Sequence, residues 1–234
     1  NCVRLHIKAP DPRYLDAAGR PLPRPLPSMH RRAFTLGLSA TSLPLVSAHA
    51  AGEPVQGKDY TTLSSPVPTT AGGKIEVIEF FGYWCPHCRA LEAKLEAWVK
   101  KLPGDVVFRR VPVAWQRPQE PYQRIYFALE ALGVAQEVHG KVFDALHVQG
   151  LRLDTDAGIA AFAAANGLDK TKLLDAMNSF AVASKVRTAN QTWKAYGIEG
   201  VPTLAVNGRY LTSPAQTGSD ERALELADAL IAKV

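Results

Sequence analysis

The stretch EFFGYWCPHCRALEAK, residues 79–94, sets Cys85 and Cys88 on either side of Pro86 and His87. Upstream, KIEVIEFF (74–81) reads as a buried strand entered from the turn AGG (71–73). Downstream of Pro86, the apolar positions Leu91, Leu95, Trp98 and Leu102 recur at helical spacing until Pro103-Gly104 ends the pattern. Cys85 is therefore predicted at a helix N-terminus, with Pro86 in the first turn, where its missing N–H costs nothing. Unpaired backbone N–H groups and the positive end of the helix dipole face the Cys85 sulfur there.

Four chemistries suit a CxxC pair. As a structural staple it is poor, because stabilisation grows with the length of the closed loop and this loop holds only two residues. As a structural zinc site it is incomplete, since tetrahedral closure takes four ligands; His139 and His147 lie more than 50 residues on, in a helical pattern. Haem attachment needs His directly after the second cysteine, where Arg89 stands. A redox pair is the preferred reading, with metal binding as the alternative and no metal assigned. A helix terminus contributes roughly 0.3–1 kcal/mol, about 2 at best, against about 1.4 kcal/mol per pKa unit. The dipole alone therefore leaves Cys85 only partly ionised at neutral pH. The N–H groups of His87 and Cys88 and the His87 imidazole are expected to supply the rest. Lowering the thiol pKa stabilises the dithiol, so the disulfide becomes a stronger oxidant, by about 30 mV per 1.4 kcal/mol.

The chain of 234 residues, 47% apolar and 21% charged, is sufficient for one good core. Its net charge of +5 is confined to the first 50 residues, which hold seven of the 27 Lys and Arg and two of the 22 Asp and Glu, leaving 20 of each from Ala51 onward. A neutral body without a basic stripe gives no case for nucleic acid. From Met29, a basic MHRR, an apolar AFTLGLSATSLPLVSA and a small-x-small AHA (48–50) read as an export signal over 29–50, cleaved after Ala50. The apolar stretch is shorter than the roughly 20 residues of a spanning helix and is interrupted by Pro44. Arg31-Arg32 with Phe34 resembles part of a twin-arginine signal, but the general secretory route is favoured. Residues 1–28, Pro-rich, are expected to be an upstream extension without packed structure. Cys2 falls within it, so the exported chain keeps only Cys85 and Cys88, in an oxidising compartment.

A strand is expected at 105–113 and helices at about 119–132, 135–148, 155–165, 170–178 and 181–196, with apolar faces such as Tyr122, Ile125, Tyr126 and Leu129 that read as core and imply no cofactor. TLAVNGRYL (203–211) is a hairpin signal around Asn207-Gly208, and SDERALELADALIAK a capped terminal helix.

YTTLSSPVP, VIEFFGYWCPHC and GVPTLAVNGRY, with the helical stretch between them, resemble the DsbA family of periplasmic thiol:disulfide oxidoreductases, from about Lys58 to the C-terminus. The resemblance implies an α/β thioredoxin fold with an inserted helical domain: thioredoxin-fold parts at 51–114 and 186–234, and the insertion at 115–185. It implies that Cys85 is the exposed nucleophile and Cys88 its buried partner, within Cys85-Pro86-His87-Cys88. It implies a cis peptide at Val201-Pro202, with the Val201 backbone open to an extended substrate strand. Glu79, flanked by apolar residues, is either a solvated strand carboxylate or, matching the family's buried acid, a proton acceptor or dielectric tuner near Cys88. Glu92 matches a second family acid. Trp84, Trp115 and aliphatic residues near Pro202 form either a peptide groove or ordinary core. The partners implied are reduced exported proteins and an inner-membrane quinone reductase of the DsbB type, with the protein a monomer. Within the same chemistry, isomerases carry a dimerisation domain, for which 51–73 is too short, and reductants typically lack His before the second cysteine. The alternative from another class is copper transfer on a thioredoxin-like scaffold.

Overall fold

The computed structural model describes residues 53–234. The expected upstream extension, export signal and cleavage site lie outside the described residues. The centre of the fold is β2 (Ile75–Phe81), in which every residue after Ile75 is buried. It pairs in parallel with β3 (Val106–Pro112) and antiparallel with β4 (Thr203–Val206). Then come β5 (Tyr210–Thr212) and the two-residue β1 (Thr61–Thr62), giving the order β1-β5-β4-β2-β3. A strand with neighbours on both sides and helices on both faces must be apolar throughout. Glu76 and Glu79 are the exceptions, and each is met by an arginine from β3.

Helix α1 (Pro86–Val99) joins the two parallel strands. Between β3 and β4 come a 3-10 turn (Arg117–Gln119) and helices α2 (Glu120–Ala131), α3 (Ala135–His147), α4 (Asp156–Ala165), α5 (Lys170–Asn178) and α6 (Phe180–Ala195). All five fall where their periodicity placed them. The expected boundary at 185 falls inside α6, which runs unbroken to Ala195 because Ser179 caps its start through the Val182 N–H and no breaker follows before Gly197. The chain closes with the single turn α7 (Pro214–Thr217) and α8 (Asp220–Ile231), capped by Ser219.

Two cores result. One gathers Val77, Leu91, Leu95 and Trp98 against Leu226 and Leu230 of α8, where the Trp98 indole also donates to Asp228 at 2.8 Å. The other carries Phe81, Cys85 and Cys88 into the aromatic residues of the insertion. Phe81 lies edge-on to Tyr83, Tyr126 and His139 at centroid distances of 5.1, 5.3 and 5.1 Å.

Asn207 and Gly208 both adopt positive φ, 48° and 67°, as a type I′ turn requires. A Cβ on Gly208 would sit 2.0 Å from the Val67 carbonyl oxygen, and the Val67 N–H donates to the Gly208 carbonyl at 2.8 Å. Gly208→Ala is expected to cost about 2 kcal/mol or more in urea unfolding, from the left-handed backbone and the backbone clash together.

Candidate active site

Cys85 occupies the N-cap of α1 in an extended conformation, φ −93° and ψ 118°, with Pro86 as the first helical residue. Its N–H donates to Gly82 O at 2.9 Å. Both cysteines are thiols. Cys88 is completely buried, one turn into the helix, and Cys85 is only 4% exposed rather than the open nucleophile expected. The cover is local: its Sγ lies 3.3 Å from the Val201 carbonyl oxygen, to which the thiol donates, and the Val201-Pro202 peptide is cis, as expected. Pro86 and His87 are exposed beside it.

The two thiols are driven apart in acidity. Cys85 is held down to about 6 from 9.0, first by a hydrogen bond from the Cys88 thiol, then, against the opposing effect of burial, by the backbone N–H groups of Cys88 and His87 and the charge of His87. Burial pushes Cys88 well up, and the neighbouring Cys85 and Glu79 add to it. The N–H groups and the imidazole are those expected from the sequence; the leading contribution of the second thiol was not foreseen.

Glu79 is fully buried at mid-strand, so the solvated reading is excluded. Its register partner on β3 is Arg110, whose Nε donates to Glu79 Oε2 at 3.0 Å. The same guanidinium reaches Glu92 at 2.9 Å and Glu96 at 2.8 Å on α1. Burial raises Glu79 to about 8, outweighing the attraction of Arg110. Glu92 ends below its ordinary value: burial lifts it, but His139 and Arg110 more than compensate. Arg110 and Glu96 were not singled out from sequence, and His139 was weighed only as a metal ligand lying too far along the chain from the cysteines. The only sequence signal was an arginine inside an apolar strand segment, VVFRRVPV.

Trp84 and Trp115 pack edge-on at 5.2 Å, with their indole N–H groups donating to Val113 O and Ile198 O. Trp115 is 37% exposed. Neither lines the cavity of about 610 Å³ beside the thiols, which is walled instead by Thr61, His87, Val201, Pro202, Leu211 and Gln216. Of the expected groove, only the aliphatic residues near Pro202 take part. Among the described residues no group of three or more His, Cys, Asp or Glu side chains is placed to hold a metal ion, and no helix is long and apolar enough to cross a membrane.

A family model described as a DSBA-like thioredoxin domain matches residues 110–229, and the Thioredoxin model matches 69–121, which contains the CxxC. The thiol:disulfide interchange protein DsbA of Burkholderia cepacia is 42% identical over 202 residues, 86% of this chain and 93% of that one. The chain belongs to the DsbA family. The crystal structure of Pseudomonas aeruginosa DsbA superposes with a TM-score of 0.75 at 42% identity, covering 78% of this chain and 95% of that one. That of the oxidoreductase DsbA from Xylella fastidiosa gives 0.71 at 33% identity, covering 77% and 97%. As a DsbA-family protein it is a thiol:disulfide oxidoreductase with the thioredoxin-like fold and helical insertion of those structures.

Proposed function

We propose that the protein is a periplasmic dithiol oxidase that donates a Cys85-Cys88 disulfide to exported proteins. The observation that carries this is the split in thiol acidity. A substrate thiolate attacks Cys85 Sγ, the Cys85–Cys88 bond breaks, and its electron pair passes to Cys88, which takes a proton because its own affinity for one is high. A second substrate thiolate then attacks the substrate sulfur of the mixed disulfide. Cys85 leaves as a thiolate, which its low pKa makes easy. The substrate gains a disulfide and the enzyme is left as the dithiol. Glu79, raised towards neutrality, is the proton source for Cys88. The cavity beside Val201 and Pro202 takes the substrate backbone as an added strand. A membrane quinone reductase of the DsbB type removes two electrons and two protons to restore the disulfide. Export by the signal at 29–50, with cleavage after Ala50, places the enzyme in that compartment, and it works as a monomer.

Equilibration with glutathione, read by thiol alkylation and mass, is expected to give a potential well above the roughly −270 mV of thioredoxin. The same cycle has a pH signature. Cys85 has a folded pKa below its unfolded one, so the stability it lends the dithiol form is full above about 9 and is lost as pH falls through about 6. The dithiol form should therefore unfold at higher urea than the disulfide form at pH 8, with the gap narrowing at pH 5. A thioredoxin-like potential would instead make the protein a reductant. A pair that never forms a disulfide and retains copper would make it a metal carrier.

A further inference from the structure

His139 stands on α3 of the insertion, 4% exposed, and thiol exchange as written above does not use it. Its Nδ1 lies 2.6 Å from the hydroxyl of Tyr83, two residues before Cys85. Its Nε2 lies 3.3 Å from Glu92 Oε2, an ion-pair distance longer than a good hydrogen bond. Burial holds the imidazole below its ordinary pKa, hence neutral, against the pull of Glu92. A neutral imidazole has one donor and one acceptor nitrogen, and a carboxylate accepts only. The partners therefore assign the hydrogen to Nε2, facing Glu92, and leave Nδ1 to accept from the Tyr83 hydroxyl.

Three carboxylates share the Arg110 guanidinium: Glu79, Glu92 and Glu96. With all three ionised the cluster would carry a net charge of −2 largely out of water, which favours uptake of one proton. The Glu96 side chain is 24% exposed and keeps its hydration. That leaves Glu79 and Glu92. Each receives one bond from Arg110; Glu92 alone faces a further N–H. Glu79 Oε1, Glu92 Oε2 and His139 Nε2 are all buried without a hydrogen-bond partner. What separates the two acids is that the imidazole Nε2 stands 3.3 Å from Glu92 Oε2, whereas the ion pair of Glu79 is made through Oε2 to Arg110 and leaves Oε1 free to carry a proton.

We propose that His139 is a positioning residue for the redox pair: by turning Nε2–H towards Glu92 it keeps that carboxylate ionised, so that the proton taken up by the Arg110 cluster sits on Glu79, whose field reaches Cys88. This rests on the assignment of Glu79 as the proton source for Cys88. The other charged or titratable groups around the cluster leave the choice to His139. On α2, the Tyr126 hydroxyl is directed at Glu130 at 3.0 Å. On α6, Lys185 is paired with the same Glu130 at 3.1 Å. On α3, the amide of Gln136 donates to Glu96. Tyr83 stays a neutral phenol, its pKa driven well above the ordinary value by burial. On the β4 side, Glu79 is opposite Leu204. A cavity of about 430 Å³ lined by Arg110, Tyr126, Glu130, Gln136, His139 and Lys185 opens the cluster to solvent, through which the proton is replaced after each turnover.

The test locates the proton by the infrared carboxylic-acid band of the reduced full chain at pH 7. In the unaltered protein, Glu79→Gln is expected to delete the band and Glu92→Gln to keep it. Combined with His139→Phe, which removes the donor, Glu79→Gln should no longer delete the band, because Glu92 now holds the proton. His139→Phe alone should slow oxidation of a reduced model peptide about tenfold at pH 7, the equivalent of about 1.4 kcal/mol for one charge-assisted hydrogen bond. His139→Gln, which retains an N–H donor, should recover most of that rate. If Glu79→Gln deletes the band with His139→Phe as well, the role of His139 is overturned while Glu79 keeps its own. If Glu79→Gln leaves the band in the unaltered protein, the Glu79 assignment fails and this inference with it. Should His139→Phe fail to fold, His139→Asn, polar but too short to reach Glu92, is judged by the same two outcomes.

Discussion

Cys88→Ala is expected to abolish turnover and turn the protein into a trap. Cys85 can still exchange with a mixed disulfide, but no second thiol remains to close the internal bond. Catalytic oxidation of a reduced peptide should fall by on the order of a thousandfold or more, the scale seen when one member of a catalytic unit is removed. Covalent adducts on Cys85 should accumulate on non-reducing gels. The same substitution removes the leading donor to the Cys85 sulfur, so the thiolate absorbance titration should move upward from about 6. Each unit of that rise means about tenfold less thiolate well below the new midpoint and about 1.4 kcal/mol less preference for the ionised form. A titration that stayed in place would show that the His87 and Cys88 N–H groups and the His87 charge carry the acidity alone.

Arg110→Leu should be the most damaging single change to stability. It leaves Glu79, Glu92 and Glu96 around one buried point with no cation among them, and breaking a buried pair from one side costs roughly 3–5 kcal/mol. The loss should depend on pH. Glu79 already has a folded pKa above its unfolded one, so its contribution is best below about 4.5 and declines as pH rises through about 8. Without Arg110 its pKa moves further up, so the decline runs on past pH 8 instead of levelling off there. Glu92, which His139 and Arg110 hold below its ordinary value, also loses part of a stabilisation that is present only above the ordinary carboxylate range. Urea unfolding at pH 5 and pH 8 should therefore show a much larger deficit at pH 8. An equal loss at both values would reduce Arg110 to packing. Arg110→Lys should rescue only in part, because one ammonium cannot match a fork whose Nε serves Glu79 while Nη2 serves Glu92 and Glu96.

What sequence could and could not show divides along a physical line. β2, α1 and the helices of the insertion were legible because each carries its own periodicity and ends at Gly, Asn or Pro. The β4–β5 hairpin was legible because Asn207-Gly208 suits only a few turns. The two-residue β1 and one-turn α7 were not, since neither is long enough to show a period; β1 exists because β5 offers Thr61 and Thr62 a partner. In the site, the chemistry of Cys85-Pro86-His87-Cys88 could be read because its parts are adjacent in the chain. The Arg110 cluster could not: its members come from β2, α1 and β3, with His139 added from α3. Arg109 and Arg110 look alike in sequence, yet they point to opposite faces and meet Glu76 and Glu79 respectively. Only the parallel register of β2 and β3 makes that visible.

Cys85 and Cys88 are the only cysteines among the described residues, and both are thiols in a body already held by two packed cores. The one cross-link they can form with each other closes a loop over Pro86 and His87 only, and so adds little to this architecture. A catalyst of disulfide formation that required such a bond in order to fold would depend on an earlier copy of itself. With two packed cores and a bond that closes so short a loop, this fold does not rest on the disulfide it passes on.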